Sequence, residues 1–343
     1  MRLFRRGRAE PVRRGRAEPV RRGRAEPVPR GRAEPAPAAD PDLAVRVQDL
    51  RRTFGSFAAV DGISVAVRRG EVFGFLGPNG SGKTTTIRML TGALAPSSGE
   101  IEVLGTDVAR HPEAIHHRIG YMSQRFSPFE DLTVEENMRF YAGVHGISRE
   151  TYARRREYVL EMADLRGRER ELTADLSVGW RQRLALGTAT IHEPELLFLD
   201  EPTSGVDPVA RRQFWDLLHD LAGRGVTLFV TTHYMDEAAN CTRLAFMYRG
   251  RIVADGTPRD LVTGGTPVLE VHGPEPDAVH AWLEAASDVR DVHLSEGALR
   301  VTAPGTDPDD LTRRLAAAGF PDVTVRSVEP SVEDVFVGLV TAR

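Results

Sequence analysis

Of the 45 Lys and Arg side chains in this 343-residue sequence a single one, Lys83, is a lysine, and it sits inside GPNGSGKTT at residues 77 to 85. A sequence that has moved to arginine elsewhere keeps a lysine where a compact ammonium on a flexible stem cannot be replaced by a planar fork. Binding between the phosphates of a nucleotide is such a place. Gly77, Gly82, Lys83 and Thr84 occupy the fixed positions of G-x-x-x-x-G-K-[ST], with Pro78, Asn79, Gly80 and Ser81 between them and Thr85 following. The apolar run VFGFL precedes this loop and TTTIRMLTGAL follows it, so the order is strand, glycine loop, helix. In that order the loop amides close on phosphate, the helix N-terminus adds a favourable dipole, and the Thr84 hydroxyl is placed to ligate Mg²⁺.

Charge and composition narrow the class further. The formal net charge is -4, yet residues 1 to 40 hold twelve Arg against five acidic residues, so the remainder is acidic. That balance argues against nucleic-acid binding by the folded part. The octad RRGRAEPV fills residues 5 to 12, 13 to 20 and 21 to 28, with a degenerate copy PRGRAEPA at 29 to 36. With a proline every eight residues and few large apolar side chains, residues 1 to 40 are expected to be a disordered extension. They read as a basic arm attracted to anionic lipid or nucleic acid, or as low-complexity sequence with no partner; no apolar stretch makes them a secretory signal. Cys241 is the only cysteine, which excludes an intrachain disulfide and leaves a small packed thiol. The longest apolar runs, LLFL and TLFV, are strand-sized, short of the roughly 20 residues a spanning helix needs.

The runs VFGFL, LLFL and TLFVTT have the continuous apolar character of a parallel sheet buried on both faces, while VRVQDL and ISVAV alternate. Helical periodicity in TVEENMRFYAGV and TYARRREYVLEMADL predicts a helical subdomain at about residues 125 to 190, inserted into an α/β nucleotide-binding domain of residues 42 to 264. After LAFMYRG and RIVADG, the glycine pair at 264 and 265 marks a boundary. Residues 267 to 343 then read βαββαβ, the order of a ferredoxin-like α+β unit, and close with a helix for which Ser331 and Asp334 form a capping pair.

The segment ELLFLDEP ends in two carboxylates suited to different tasks: Asp200 to hold Mg²⁺, Glu201 to polarise a water for attack on a γ-phosphate. The strand TLFVTT delivers His233 to read that phosphate. With LSVGWRQRLALG at residues 176 to 187, the stretch from Leu43 to Leu261 resembles the ATP-binding subunit of an ABC transporter. The resemblance implies a P-loop NTPase fold of the ABC type, binding ATP and Mg²⁺. It implies that Ser177 and Gly179 open a helix that meets ATP held by a second copy, so that two chains complete two sites head to tail. Phe54 then matches the aromatic that stacks on adenine, Gln124 the glutamine that reaches Mg²⁺ and couples to the membrane partner, and Asp207 the loop that communicates across the dimer. Val178 and Trp180 depart from the family's usual glycine and glutamine; valine restricts the backbone where phosphate approaches.

Similarity of TVEEN, TSGVDP, TTHYMDEA and PSVEDVFVGL to ABC-2 type exporters, multidrug subunits among them, implies export of drugs or other small amphipathic molecules. A separate ABC-2 type membrane permease would surround the cargo and hold this subunit, as a peripheral protein, at the cytoplasmic face of the membrane. The alternative is a soluble ABC-type ATPase acting on ribosomes or DNA; the chain has neither a second GxxxxGKT nor the sustained heptads of those branches. The C-terminal unit reads as a regulatory module or as a stabiliser of the dimer.

Overall fold

The structure, a computed structural model, describes residues 40–124, 128–263, 267–295 and 297–341. The octad repeats and the glycine pair at 264 and 265 lie outside them.

In chain order, β1 (Leu43–Phe54), β2 (Phe57–Arg68), β3 (Val72–Leu76), α1 (Lys83–Leu90), β4 (Ser98–Val103), β5 (Thr106–Asp107) and β6 (Ile119–Met122) come first. Three helices follow: α2 (Val134–Val144), α3 (Arg149–Met162) and α4 (Val178–Thr190). Then come β7 (Leu196–Asp200), α5 (Pro208–Gly223), β8 (Thr227–Thr232), β9 (Arg243–Tyr248), β10 (Arg251–Gly256) and α6 (Pro258–Thr263). The C-terminal elements are β11 (Val268–His272), α7 (Pro276–Glu284), β12 (Asp291–Ser295), β13 (Ala298–Thr302), α8 (Pro308–Ala317), β14 (Thr324–Val328) and α9 (Val332–Thr341).

The central sheet runs β10-β9-β3-β8-β7-β6, parallel except for β10. Strands β3, β7 and β8 are buried along their whole length because each face has its own core. Phe73, Phe75, Leu196, Phe198 and Phe229 point to one side, against the antiparallel sheet β2-β1-β4-β5 and helix α1. Val72, Leu197, Leu199, Leu228 and Val230 point to the other, against α4 and α5 through Ala185, Leu186, Phe214 and Leu218. The split follows the period-two alternation of strand side chains. Three phenyl rings, Phe73, Phe75 and Phe198, lie 5.3 to 5.5 Å from Phe229, a cluster in which losing one ring costs about 3–5 kcal/mol.

Helix α2 starts at a reciprocal capping box of Thr133 and Glu136 and packs Val134, Met138 and Ala142 against Val159, Leu160 and Leu184 of α3 and α4. Where this helical layer meets edge strand β6, the rings of His145 and His192 stack at 3.6 Å with planes 7° apart, and His192 Nε2 lies 2.9 Å from the Ile119 carbonyl. Burial pushes His192 from its ordinary 6.5 down to about 4 and lowers His145 as well. An unfolded imidazole takes up its proton as the pH falls through 6.5, whereas the folded His192 waits until about 4. The stability this neutral ring contributes is therefore present above pH 6.5 and lost as the pH falls toward 4. Urea unfolding of His192→Gln against pH is expected to remove a decline worth up to roughly 3 kcal/mol across that window.

The C-terminal sheet is antiparallel in the order β12-β13-β11-β14, which is the connectivity expected of βαββαβ. One face carries the apolar core of Leu269, Val271, Leu299 and Val301 under Leu283 of α7 and Leu311 and Leu315 of α8. At the start of α9, Ser331 and Asp334 exchange backbone-to-side-chain hydrogen bonds, the reciprocal cap read in the sequence.

Candidate active site

Four parallel strands deliver side chains at their C-terminal ends, where open α/β sheets bind ligands. The glycine loop leaves β3, Gln124 follows β6, Glu201 follows β7 and His233 follows β8. Two glycines of the loop leave no room for a side chain. A Cβ on Gly77 would stand 2.1 Å from the Met247 carbonyl oxygen, and one on Gly82, at φ 115°, would stand 2.4 Å from that of Ala59. Asn79 and Gly80 are exposed at the tip, Ser81 is buried beneath it, and Thr84 and Thr85 open the first turn of α1.

Lys83 is 4% exposed, yet its ammonium is fully engaged: Nζ donates to the carbonyls of Gly77 at 2.7 Å and Pro78 at 3.2 Å, and lies 3.2 Å from Glu201 Oε1. Burial lowers the lysine's pKa while Glu201 and then Asp200 pull it back up. Glu201 is a node. Its Oε2 accepts from Gln124 Nε2 at 2.9 Å, and His233 Nδ1 lies 3.2 Å from the same oxygen, though not in line for a hydrogen bond. Its backbone sits at φ 51°, a left-handed conformation that costs a non-glycine residue about 1 kcal/mol or more. What holds it there is Thr231, whose carbonyl and hydroxyl oxygens both lie 3.1 Å from the Glu201 amide nitrogen.

The Thr231 hydroxyl also donates to Asp200 Oδ1 at 2.6 Å, and Thr84 Oγ1 donates to that oxygen at 3.3 Å. Asp200 Oδ2 is buried with no hydrogen-bond partner among the described residues, and burial raises the acid's pKa. A buried carboxylate oxygen left unpaired beside a threonine hydroxyl is a donor set of hard oxygens, which suits Mg²⁺. Gln124 spends its amide nitrogen on Glu201, so its carbonyl oxygen is what remains to offer a cation.

Ser177 is the N-cap of α4 and makes no capping bond through its side chain; it and Val178, 40% exposed, present the first turn of the helix outward. Gly179 approaches α5, where a Cβ would stand 3.1 Å from Ala210. Asp207 caps α5 by accepting from the amides of Val209 and Ala210, both at 3.0 Å. Trp180 turns the other way, into the helical layer, with Arg168 and Arg183 over its ring at 4.4 and 5.0 Å. Phe54 is 48% exposed at the tip of the β1–β2 hairpin, with the Arg52 guanidinium 4.6 Å from its ring centre. Lys83, Thr84, Gln124, Asp200, Glu201 and His233 thus form one connected cluster, while Phe54, Ser177, Gly179 and Asp207 stand outside it.

Sequence reading missed the braces of that cluster. Thr231 ties the Asp200 carboxylate to the Glu201 backbone amide. Glu237, 1% exposed, accepts from Thr203 Oγ1 at 2.6 Å and lies 3.8 Å from Arg211, whose guanidinium covers Tyr234 at 4.1 Å; Tyr234 in turn packs on His233 at 4.2 Å. The available signal was the threonine pair closing the otherwise apolar TLFVTT; in MDEAAN two adjacent acids stand side by side and nothing local singles out Glu237.

A family model described as ABC transporter matches residues 60–204. The chain is 42% identical over 255 residues to a probable multidrug ABC transporter ATP-binding protein of Escherichia coli, a match covering 74% of this chain and 44% of that protein. It thus spans less than half of that relative's length. To the Nod factor export ATP-binding protein I of Burkholderia orbicola it is 35% identical over 295 residues, 85% of this chain and 95% of the relative. Among solved structures, an ATP-binding cassette of an ABC transporter in its ADP conformation matches with a TM-score of 0.59 at 26% identity, over 64% of this chain and 92% of that one. A dimeric bacterial ABC transporter cassette matches with a TM-score of 0.58 at 23% identity, over 62% and 98%, a likeness of fold alone. Among the described residues no helix is long and apolar enough to cross a membrane. With a relative 35% identical that is matched over 95% of its own length, the chain belongs to the ATP-binding subunits of the ABC transporter family.

Proposed function

We propose that this chain hydrolyses ATP as one of two identical subunits that drive a separate ABC-2 type membrane permease, exporting drugs or other small amphipathic molecules. The observation that carries the hydrolytic part is the contact of the buried Lys83 ammonium with Glu201, beside an Asp200 oxygen that lacks a partner. The export part is supported by relatives named for multidrug transport and Nod factor export.

In this reading Lys83 and the amides of residues 77 to 85 hold the β- and γ-phosphates, and Phe54 stacks on adenine. Thr84, Asp200 and Gln124 hold Mg²⁺, which when bound neutralises phosphate charge. Glu201 orients the attacking water and accepts its proton, with His233 beside it to read the γ-phosphate. The outward-facing turn at Ser177, Val178 and Gly179 offers its amides to ATP on the second copy, and Asp207 stabilises the helix next to it. Each site is complete only when two chains meet head to tail, which supplies the free energy for closure. Work on a permease places the subunit at the cytoplasmic face of the membrane, and no nucleic acid is required.

Valine at position 178 stands exposed on the first helical turn, so its β-branch meets solvent in the single chain. Val178→Gly is therefore expected to leave ATPase turnover of the partner-bound complex within about tenfold, or 1.4 kcal/mol of barrier. Steady-state phosphate release checks this. The function itself is tested by affinity capture of the tagged chain from detergent-solubilised membranes. Recovery of a protein with several apolar spans of roughly 20 residues each is expected, whereas recovery of ribosomes or DNA without it would favour a soluble ATPase.

A further inference from the structure

Helix α9 is gripped from two sides. Toward the C-terminal sheet, the carboxylate of Asp334, its side chain 1% exposed, accepts from Arg300 Nε at 3.0 Å and from Arg300 Nη2 at 2.6 Å, and lies 3.2 Å from His293 Nε2. These partners come from β13 and β12, and the sheet in turn holds Arg300 through Glu270 on β11 at 3.2 Å. Two residues on, and so roughly 200° around the helix, Phe336 leaves that polar face. It enters an apolar cluster with Leu76, Ala238, Leu244 and Phe246, its ring 5.3 Å from that of Phe246 and 6.4 Å from that of Tyr248.

Four of those neighbours lead to the nucleotide cluster. Leu76 is the last residue of β3 before Gly77. Phe246 and Tyr248 flank Met247, whose carbonyl oxygen walls Gly77. Ala238 and the partly buried Met235 belong to the 3₁₀ segment Met235–Asn240, which begins two residues after His233. That segment is braced on its inner side by the Glu237 bond to Thr203 and on its outer side by α9.

Building on the nucleotide reading above, we propose that Phe336 is a positioning residue for His233, so that the C-terminal unit, through α9, sets the hydrolytic competence of the site without touching nucleotide. Asp334 anchors the lever on one side and Phe336 delivers it on the other. Whatever reorganises the polar face of the C-terminal sheet, a second copy included, would reach His233 by this route.

The test compares the full-length wild-type chain with Phe336→Ala and Phe336→Leu, measuring ATP affinity by calorimetric titration in EDTA and turnover with Mg²⁺. Phe336→Ala is expected to lower kcat by about tenfold or more while ATP affinity stays within about threefold, and Phe336→Leu, which refills the cluster, is expected to recover most of kcat. Turnover of Phe336→Ala within about twofold of wild type overturns the proposal. So does a parallel fall of affinity and kcat, which would mark mere loosening, or a failure of leucine to rescue. A wild-type chain that binds no ATP in the titration would instead overturn the nucleotide reading, and this inference with it.

Discussion

Replacing Glu201 with Gln is expected to cut ATP turnover by about 10² to 10⁴ while ATP binding survives. The side chain keeps its length, and the backbone at φ 51° is held from outside by Thr231, so the local fold has no reason to change. What disappears is the negative charge on which the Lys83 ammonium and the Gln124 amide converge. An amide oxygen still orients a water but takes no proton from it. The loss therefore falls on the chemical step and spares the phosphate contacts made by the loop. Phosphate release at saturating ATP, beside a titration of ATP binding, separates the two.

Lys83→Arg is expected to weaken ATP binding and turnover by about a hundredfold or more although the charge is kept, an outcome that a purely electrostatic role would not give. The ammonium sits between two loop carbonyls at 2.7 and 3.2 Å and a carboxylate at 3.2 Å, at 4% exposure. A planar guanidinium is larger than that cage and spreads its donors where the loop offers point acceptors. To fit, it must push back the loop that Gly77 and Gly82 already hold against neighbouring carbonyls. Thermal unfolding of the variant serves as the control and is expected to stay within a few degrees of wild type, because the side chain bridges loop groups and carries no core packing.

Where a single local rule fixes a feature, the sequence made it plain. VFGFL, LLFLD and TLFVTT are buried along their whole length, as continuous apolar runs between two cores should be. The strand ends then had to bring Asp200, Glu201 and His233 near the glycine loop, since parallel strands in one sheet present their C-termini together. The Ser331 and Asp334 cap was likewise local and legible. Other features depend on partners far apart in the chain. Nothing in DEP announces that Glu201 adopts a left-handed backbone, because the cause is Thr231, thirty residues away on another strand. Nothing near Phe336 says which surface it enters, and the stacking of His145 on His192 depends on how the helical layer meets β6. Trp180 shows the same limit: its departure from the family's usual glutamine does not say where the ring goes, and the packing of the helical layer, with two arginines over the ring, draws it inward.

The central claim, that a second copy of the chain completes a nucleotide site built on Lys83, Asp200 and Glu201, is tested most directly by the solution mass of the Glu201→Gln chain with and without ATP. For a chain of 37.8 kDa, light scattering is expected to show a monomer without nucleotide and a doubling of mass on adding ATP, abolished by combining the variant with Lys83→Arg. A mass that stays at one chain in saturating ATP, or a dimer indifferent to nucleotide, would contradict it.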